Sequence, residues 1–324
     1  MKKSVSFALA AVMLALSLAG CAGEGEKTAE NITVNAAVMT GPTAIGMVSL
    51  LDNAEADGVK YDFTVAGSAD EITPKIVQGK FDIASVPVNL ASVLYNKTNG
   101  GIRLLAVNTL GVLYIVTKGE NVTSVGDLRG KTIYATGKGL TPEYTLRHIL
   151  SANGIDPDRD VTIEYKSEPK EVVAIMKNAE NAVAMLPQPY VTVAMGAVDG
   201  LTAALDLTDE WDRLGEKSRL ITGVVIARAE FADEHPEIIA SFLAEYGKST
   251  AFANENVGEA AAILGRLGIF DSAVAEKAIP ECNVVCITGD EMKAAVSGYL
   301  SMLFSENPAS VGGSLPADDF YYKK

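Results

Sequence analysis

Two hydrophobic periods alternate along this chain. From Ile32 onward, short β-branched runs give way to stretches whose apolar residues recur every three or four positions. Strands are expected over 32–38, 61–65, 81–86 and 102–108, with helices over 44–51, 70–78 and 90–95 between them. That order predicts an α/β unit with a mostly parallel sheet flanked by helices. A second such unit starts near Gly111, with strands over 112–117, 132–134, 161–165 and 182–186. Its helices are expected near 141–150, 172–176 and 191–198. In the first, Thr141 stands as N-cap, Pro142 at the first position and Glu143 in the first turn, and Gly154 stops it. A strand over 221–227 follows, and then long helices. Met292, Ala295, Val296, Tyr299, Leu300, Leu303 and Phe304 keep the i, i+3, i+4, i+7 spacing of a helix face packed on a core. The strand–proline sequence Ile83-Ala84-Ser85-Val86-Pro87 is echoed by Val183-Ala184-Met185-Leu186-Pro187, once in each unit.

The amino terminus follows another pattern. Lys2 and Lys3 precede an apolar run over 5–18, and Leu18-Ala19-Gly20-Cys21 closes it. Basic, apolar, then small residues is an export signal. The run is shorter than the roughly 20 residues that cross a bilayer. A cysteine directly after small residues resembles the lipobox of bacterial lipoproteins. That resemblance implies a signal peptide over 1–20, cleavage before Cys21 and a diacylglycerol on its sulfur. Residues 21–31 read as a flexible tether.

With 324 residues and 48% apolar content the chain can build two ordinary cores. The formal charge of −14 becomes −16 once Lys2 and Lys3 are removed. Such acidity opposes nucleic-acid binding and adsorption to anionic lipid. Cys282 and Cys286 lie four apart in an extended-looking segment. At about 3.3 Å per residue they stand too far apart for a disulfide without a turn at Asn283, so two half-buried thiols are expected. His148 and His235 make no metal spacing, and no cofactor motif is present.

In open α/β sheets ligands bind beyond the carboxyl ends of the strands. The strand-to-helix turns therefore supply the candidate ligand-binding residues: Met39, Thr40, Gly41, Pro42 and Thr43; Gly67 and Ser68; Pro87 and Asn89. The second unit adds Thr136, Gly137, Lys138, Gly139 and Thr141, then Pro187, Gln188 and Tyr190. Gly111 and Thr222, where the chain passes between the units, complete the set. Small residues let backbone N–H groups approach a ligand, and helix N-termini favour negative charge. Gly137-Lys138-Gly139 lacks the Gly-Lys-Ser/Thr end of a phosphate-binding P-loop. Lys138 is the one cation in these turns and none holds an arginine, which argues against a multiply charged anion. A neutral or singly charged ligand is expected.

Several segments carry a family resemblance. They are Gly67-Ser68-Ala69-Asp70-Glu71, Gly79-Lys80-Phe81-Asp82-Ile83-Ala84, and Val125-Gly126-Asp127-Leu128-Arg129-Gly130-Lys131-Thr132-Ile133. To these are added the helix from Glu143 to Gly154 and His235-Pro236-Glu237-Ile238-Ile239. Together with the lipobox they resemble the solute-binding proteins of bacterial ABC importers, in the group with receptors for nitrate, sulfonates, taurine and thiamine-pyrimidine precursors. The resemblance implies a type 2 periplasmic-binding-protein-like fold. Lobe 1 would hold 32–110 and 220–324, and lobe 2 would hold 111–219, with hinge glycines at Gly111 and Gly223. It implies a small-molecule ligand, permease and ATPase partners, a monomer, and an extracytoplasmic place on the bacterial membrane through the lipid on Cys21. Some relatives on this fold are enzymes for pyrimidine or menaquinone precursors. The cysteine-rich motif of the pyrimidine-making kind is missing here, and no nucleophile–base pair stands out. A sensor for a membrane receptor is the other alternative.

Overall fold

The computed structural model describes residues 32–323 apart from Asp57 and Lys217. The expected signal peptide over 1–20, Cys21 and the expected tether over 21–31 lie outside the described residues. The chain opens with β1 (Thr33–Met39), α1 (Pro42–Gly46), α2 (Val48–Asp52), β2 (Glu55–Ala56), β3 (Val59–Ala66), α3 (Ala69–Val77), β4 (Ile83–Pro87), α4 (Val88–Lys97) and β5 (Ile102–Thr109). It continues with β6 (Leu113–Lys118), β7 (Thr132–Thr136), α5 (Thr141–Ala152), β8 (Thr162–Lys166), α6 (Pro169–Asn178), β9 (Ala182–Pro187), α7 (Tyr190–Ala197), β10 (Leu201–Asp206) and α8 (Leu207–Arg213). The last stretch is β11 (Gly223–Arg228), α9 (Ala229–Glu234), α10 (Pro236–Glu255), α11 (Val257–Arg266), α12 (Ser272–Ala278), β12 (Val284–Ile287) and α13 (Gly289–Glu306).

Two sheets result, ordered β12-β5-β11-β4-β1-β3-β2 and β10-β6-β9-β7-β8. The two-lobed α/β fold expected from the sequence is present. The pairing, however, is mixed rather than mostly parallel. β1 pairs parallel with β3 and β4, and β7 with β8 and β9. β11 runs antiparallel between β4 and β5, and β6 antiparallel to β9. Connectivity explains the reversal. Both β6 and β11 enter their sheets from the side on which the chain crosses between lobes, so each runs away from that side, while β4 and β9 run toward it.

The crossing segments lie side by side. Thr222 donates its N–H to Thr109 O at 3.1 Å and its hydroxyl to Leu110 O at 2.6 Å. Asn283, held at φ 44°, donates through Nδ2 to Gly111 O at 2.6 Å. The glycines here serve close packing. A Cβ on Gly111 would collide with Thr208 Oγ1, and one on Gly223 would collide with Asn108 Oδ1. Neither has the positive φ of a conformational hinge glycine. The turn at Asn283 that a disulfide would have needed does exist, yet Cys282 and Cys286 are not joined, and the first is fully buried.

One apolar core runs continuously through both lobes, with Tyr299 of α13, Trp211 of α8 and Leu146 of α5 in it. Trp211 and Tyr299 rings sit 5.5 Å apart, and Thr145 and Tyr299 share a hydroxyl contact at 3.3 Å. α8 and β10 were not expected from the sequence: Asp209, Glu210 and Asp212 mask the helical period around Trp211.

Candidate functional site

The carboxyl ends of β1, β3 and β4 in one sheet, and of β7, β8 and β9 in the other, open onto a single cleft of about 160 Å³. Every parallel-paired strand therefore contributes its following turn, as the general rule for open α/β sheets requires. Fourteen of the residues expected from the sequence line it: Met39, Thr40, Gly41, Pro42, Thr43, Gly67, Ser68, Pro87, Thr136, Gly137, Pro187, Gln188, Tyr190 and Thr222. A hollow of about 180 Å³ lies at the amino end of β4, where Arg228 is tied to Asp82 at 3.1 Å and Glu230 at 2.5 Å. The carboxyl end of β11 and the end of α3 also line it, and the Arg228 side chain is already paired within it.

Five expected residues stand outside the lining. Asn89, on α4, is fully buried, and its side chain is engaged on three sides: Nδ2 donates to Gly139 O and Ser310 O, each at 3.1 Å, while Oδ1 accepts from Thr141 at 3.2 Å. Thr141 is not the helix cap. Leu140 holds that place, and the Thr141 hydroxyl faces Asn89 instead. Gly139 donates its N–H to Glu143 Oε2 at 2.6 Å. Lys138 is exposed. Gly111 packs against Thr208. The Ser167–Pro169 turn after β8 also lines the cleft. Lys166 before it and Glu168 within it add charge that hides it in the sequence; its signal was a polar-proline turn directly after a strand.

Backbone geometry explains several lining residues. Gly41 caps α1 at φ 145°, and Gly137 turns at φ 78° with Pro142 only 2.9 Å from where a Cβ would stand. A side chain at either would strain the backbone, so their substitution affects stability as well as the cleft. Thr43 accepts from Met39 N–H at 3.2 Å and donates to Met39 O at 2.7 Å, closing the first turn on itself. Tyr190 packs edge-on against Phe270 at 5.9 Å, bringing the loop after α11 over the cleft's side. Burial raises the Tyr190 phenol pKa, with the Glu168 charge adding to the effect against Lys170, so the ring stays neutral. No charged side chain lines the cleft among the described residues.

The Asp127-Leu128-Arg129-Gly130 segment has a structural role. Asp127 Oδ2 accepts from Thr123 and Ser124 N–H, each at 2.9 Å, Leu128 is buried, and Gly130 turns at φ 77°. Those N–H bonds hold the Asp127 carboxyl below its usual pKa. This motif shapes lobe 2 away from the cleft, which is why it reports fold rather than ligand.

Residues 101–260 match the family model described as NMT1/THI5 like. A protein of Brucella abortus (strain 2308), named as a candidate binding protein, is 25% identical over 214 residues, covering 64% of this chain. The chain thus matches 64% of that relative's length. The crystal structure of an ABC transporter protein from Parabacteroides distasonis superposes with a TM-score of 0.76 at 24% identity, over 91% of this chain and 100% of that one. The alkanesulfonate-binding protein SsuA from Xanthomonas axonopodis pv. citri, bound to MOPS, superposes at 0.71 and 13% identity, over 91% and 100%. Residues 101–260 are thus similar to NMT1/THI5-like proteins, and the chain shares its two-lobed fold with these solved structures.

Proposed function

We propose that this chain is the extracytoplasmic solute-binding lipoprotein of an ABC importer. It holds a small solute between lobe 1 (32–110 and 220–324) and lobe 2 (111–219) and delivers it to a permease powered by an ATPase. The lipid on Cys21 tethers it to the membrane, and it acts as a monomer. The observation that carries the reading is the convergence of six strand ends, three from each sheet, on one cleft. Thr40, Ser68, Thr136, Gln188 and Tyr190 are the side chains assigned to the solute. Ligand closes the lobes only by as much as it prefers the closed form.

Native mass spectrometry of protein purified from its own envelope fraction tests the reading. A retained small molecule, lost in Gln188→Leu, is expected; a compound that is turned over rather than retained points to an enzyme. Cys21→Ser should move the protein out of the membrane fraction, and persistence there defeats the anchor.

A further inference from the structure

Three of the helix N-termini beside the cleft, those of α3, α5 and α6, already hold a carboxylate of this chain. At α3, Gly67 and Ser68 donate their N–H groups to Glu71 Oε1, both at 3.0 Å. At α5, Glu143 takes the Gly139 N–H, and at α6, Glu171 takes the Glu168 N–H at 2.9 Å. Helix N-termini attract anions because they offer free N–H groups and partial positive charge. At these three ends both are answered from within, while α1, α4 and α7 carry no acidic residue in the first turn. Two of these turns also bring like charges together. A Cβ on Gly67 would stand 3.2 Å from Glu71 Oε1 and 3.8 Å from the Glu168 carboxyl, so carboxylates from opposite lobes flank the same point of the lining. Lys170, which pairs with Glu168 at 2.6 Å, is largely exposed.

The lobe 1 hydroxyls are engaged as donors too. Thr40 donates to Ala66 O at 3.2 Å, Thr43 to Met39 O, Thr109 to Asn108 Oδ1 at 2.9 Å, and Thr222 to Leu110 O. The remaining donors are neutral and come from lobe 2. Gln188 Oε1 accepts from Thr192 N–H at 3.3 Å and its hydroxyl at 3.0 Å, which leaves the Nε2 end to donate. Tyr190 adds a phenol. An anion entering this apolar cleft would lose its water, meet no cation and face the rim carboxylates.

Resting on the reading of this cleft as the solute site, we propose that it takes an uncharged, largely apolar solute presenting hydrogen-bond acceptors to Gln188 and Tyr190, and excludes free sulfonate, nitrate and phosphate. Calorimetric titration of the full chain with ethanesulfonate, nitrate and inorganic phosphate, each to about 10 mM, tests the exclusion at an affinity scale of roughly 3 kcal/mol. No binding is expected in the wild type. Glu71→Ala frees two N–H groups and removes the charge, whereas Glu71→Gln removes the charge but keeps an acceptor on them. Ethanesulfonate should bind Glu71→Ala about tenfold more tightly than Glu71→Gln. Wild-type binding of any of the three anions with a Kd below about 1 mM overturns the proposal, as does equal silence of both variants. In a second arm a bacterial small-molecule extract is passed over anion and cation exchangers. The unretained fraction should raise the unfolding temperature; a rise given only by an anion-exchanger eluate overturns the proposal. Silence of every fraction counts against the solute-binding reading itself, while the Glu71 pair still decides the matter of charge.

Discussion

Asn89→Ala should cost stability far more than it costs solute binding. The side chain is fully buried at the start of α4, and three bonds end on it: Gly139 O and Ser310 O accept from Nδ2, and Thr141 donates to Oδ1. Two of the three, to Ser310 and Thr141, are wholly buried, so truncation leaves a carbonyl and a hydroxyl without partners. Each such orphan costs about 1–3 kcal/mol, and the partly exposed Gly139 carbonyl adds about 0.5–1. A loss of about 4 kcal/mol follows. For a chain of this size that lowers Tm by roughly 8 °C, at about 2 °C per kcal/mol. Asn89→Asp should be at least as damaging, because it aims carboxylate oxygen at two carbonyls. Scanning calorimetry reads the shift, and the retained-solute assay reads binding at a temperature where both variants stay folded. A Tm drop under about 2 °C together with lost solute would refute the reasoning and return Asn89 to the ligand.

Other tests probe separate parts of the molecule. His148 lies between Glu306 of α13 and Glu216, with Nε2 3.0 Å from Glu216 and Nδ1 bonded to Glu306. Burial works to lower its pKa, but the hydrogen bond and charge of Glu306, with the charge of Glu216, outweigh it and leave it raised. The stabilisation is therefore complete below about 6.5 and fades as pH rises through the higher folded-state pKa. The Tm advantage of wild type over His148→Gln should shrink from about pH 6.5 upward; an advantage that grows with pH contradicts this. Gly111→Ala should destabilise by about 2 kcal/mol through its clash with Thr208, and Thr208→Ala should recover about half. Thr208 Oγ1 is buried without a partner, so Thr208→Ala alone should be close to neutral, and absence of coupling in the double mutant would refute the clash. Burial pushes the Cys282 thiol pKa up, so iodoacetamide should label Cys286 and spare Cys282 in the native protein; equal labelling would place both at the surface.

What could be read in the chain itself was whatever depends on near neighbours. Apolar period set the strands and most helices, Gly and Pro set the turns after β1, β3 and β7, and the strand–helix alternation set the two lobes. Long-range partners were beyond that reading. Asn89 looked like a ligand donor because it stands in a strand-to-helix turn, but Ser310 lies 221 residues away and its carbonyl takes the Asn89 amide. Thr141 looked like a cap because caps are local, and a buried partner 52 residues off claimed its hydroxyl. Gly111 and Gly223 stood out as glycines at the crossings, and only the folded chain shows the side chains of Thr208 and Asn108 that leave no room there for a Cβ. The sheets were expected to be mostly parallel because strand order along the chain is visible and strand direction is not. Direction is decided by where the chain re-enters each lobe, and that is a property of the folded crossing alone.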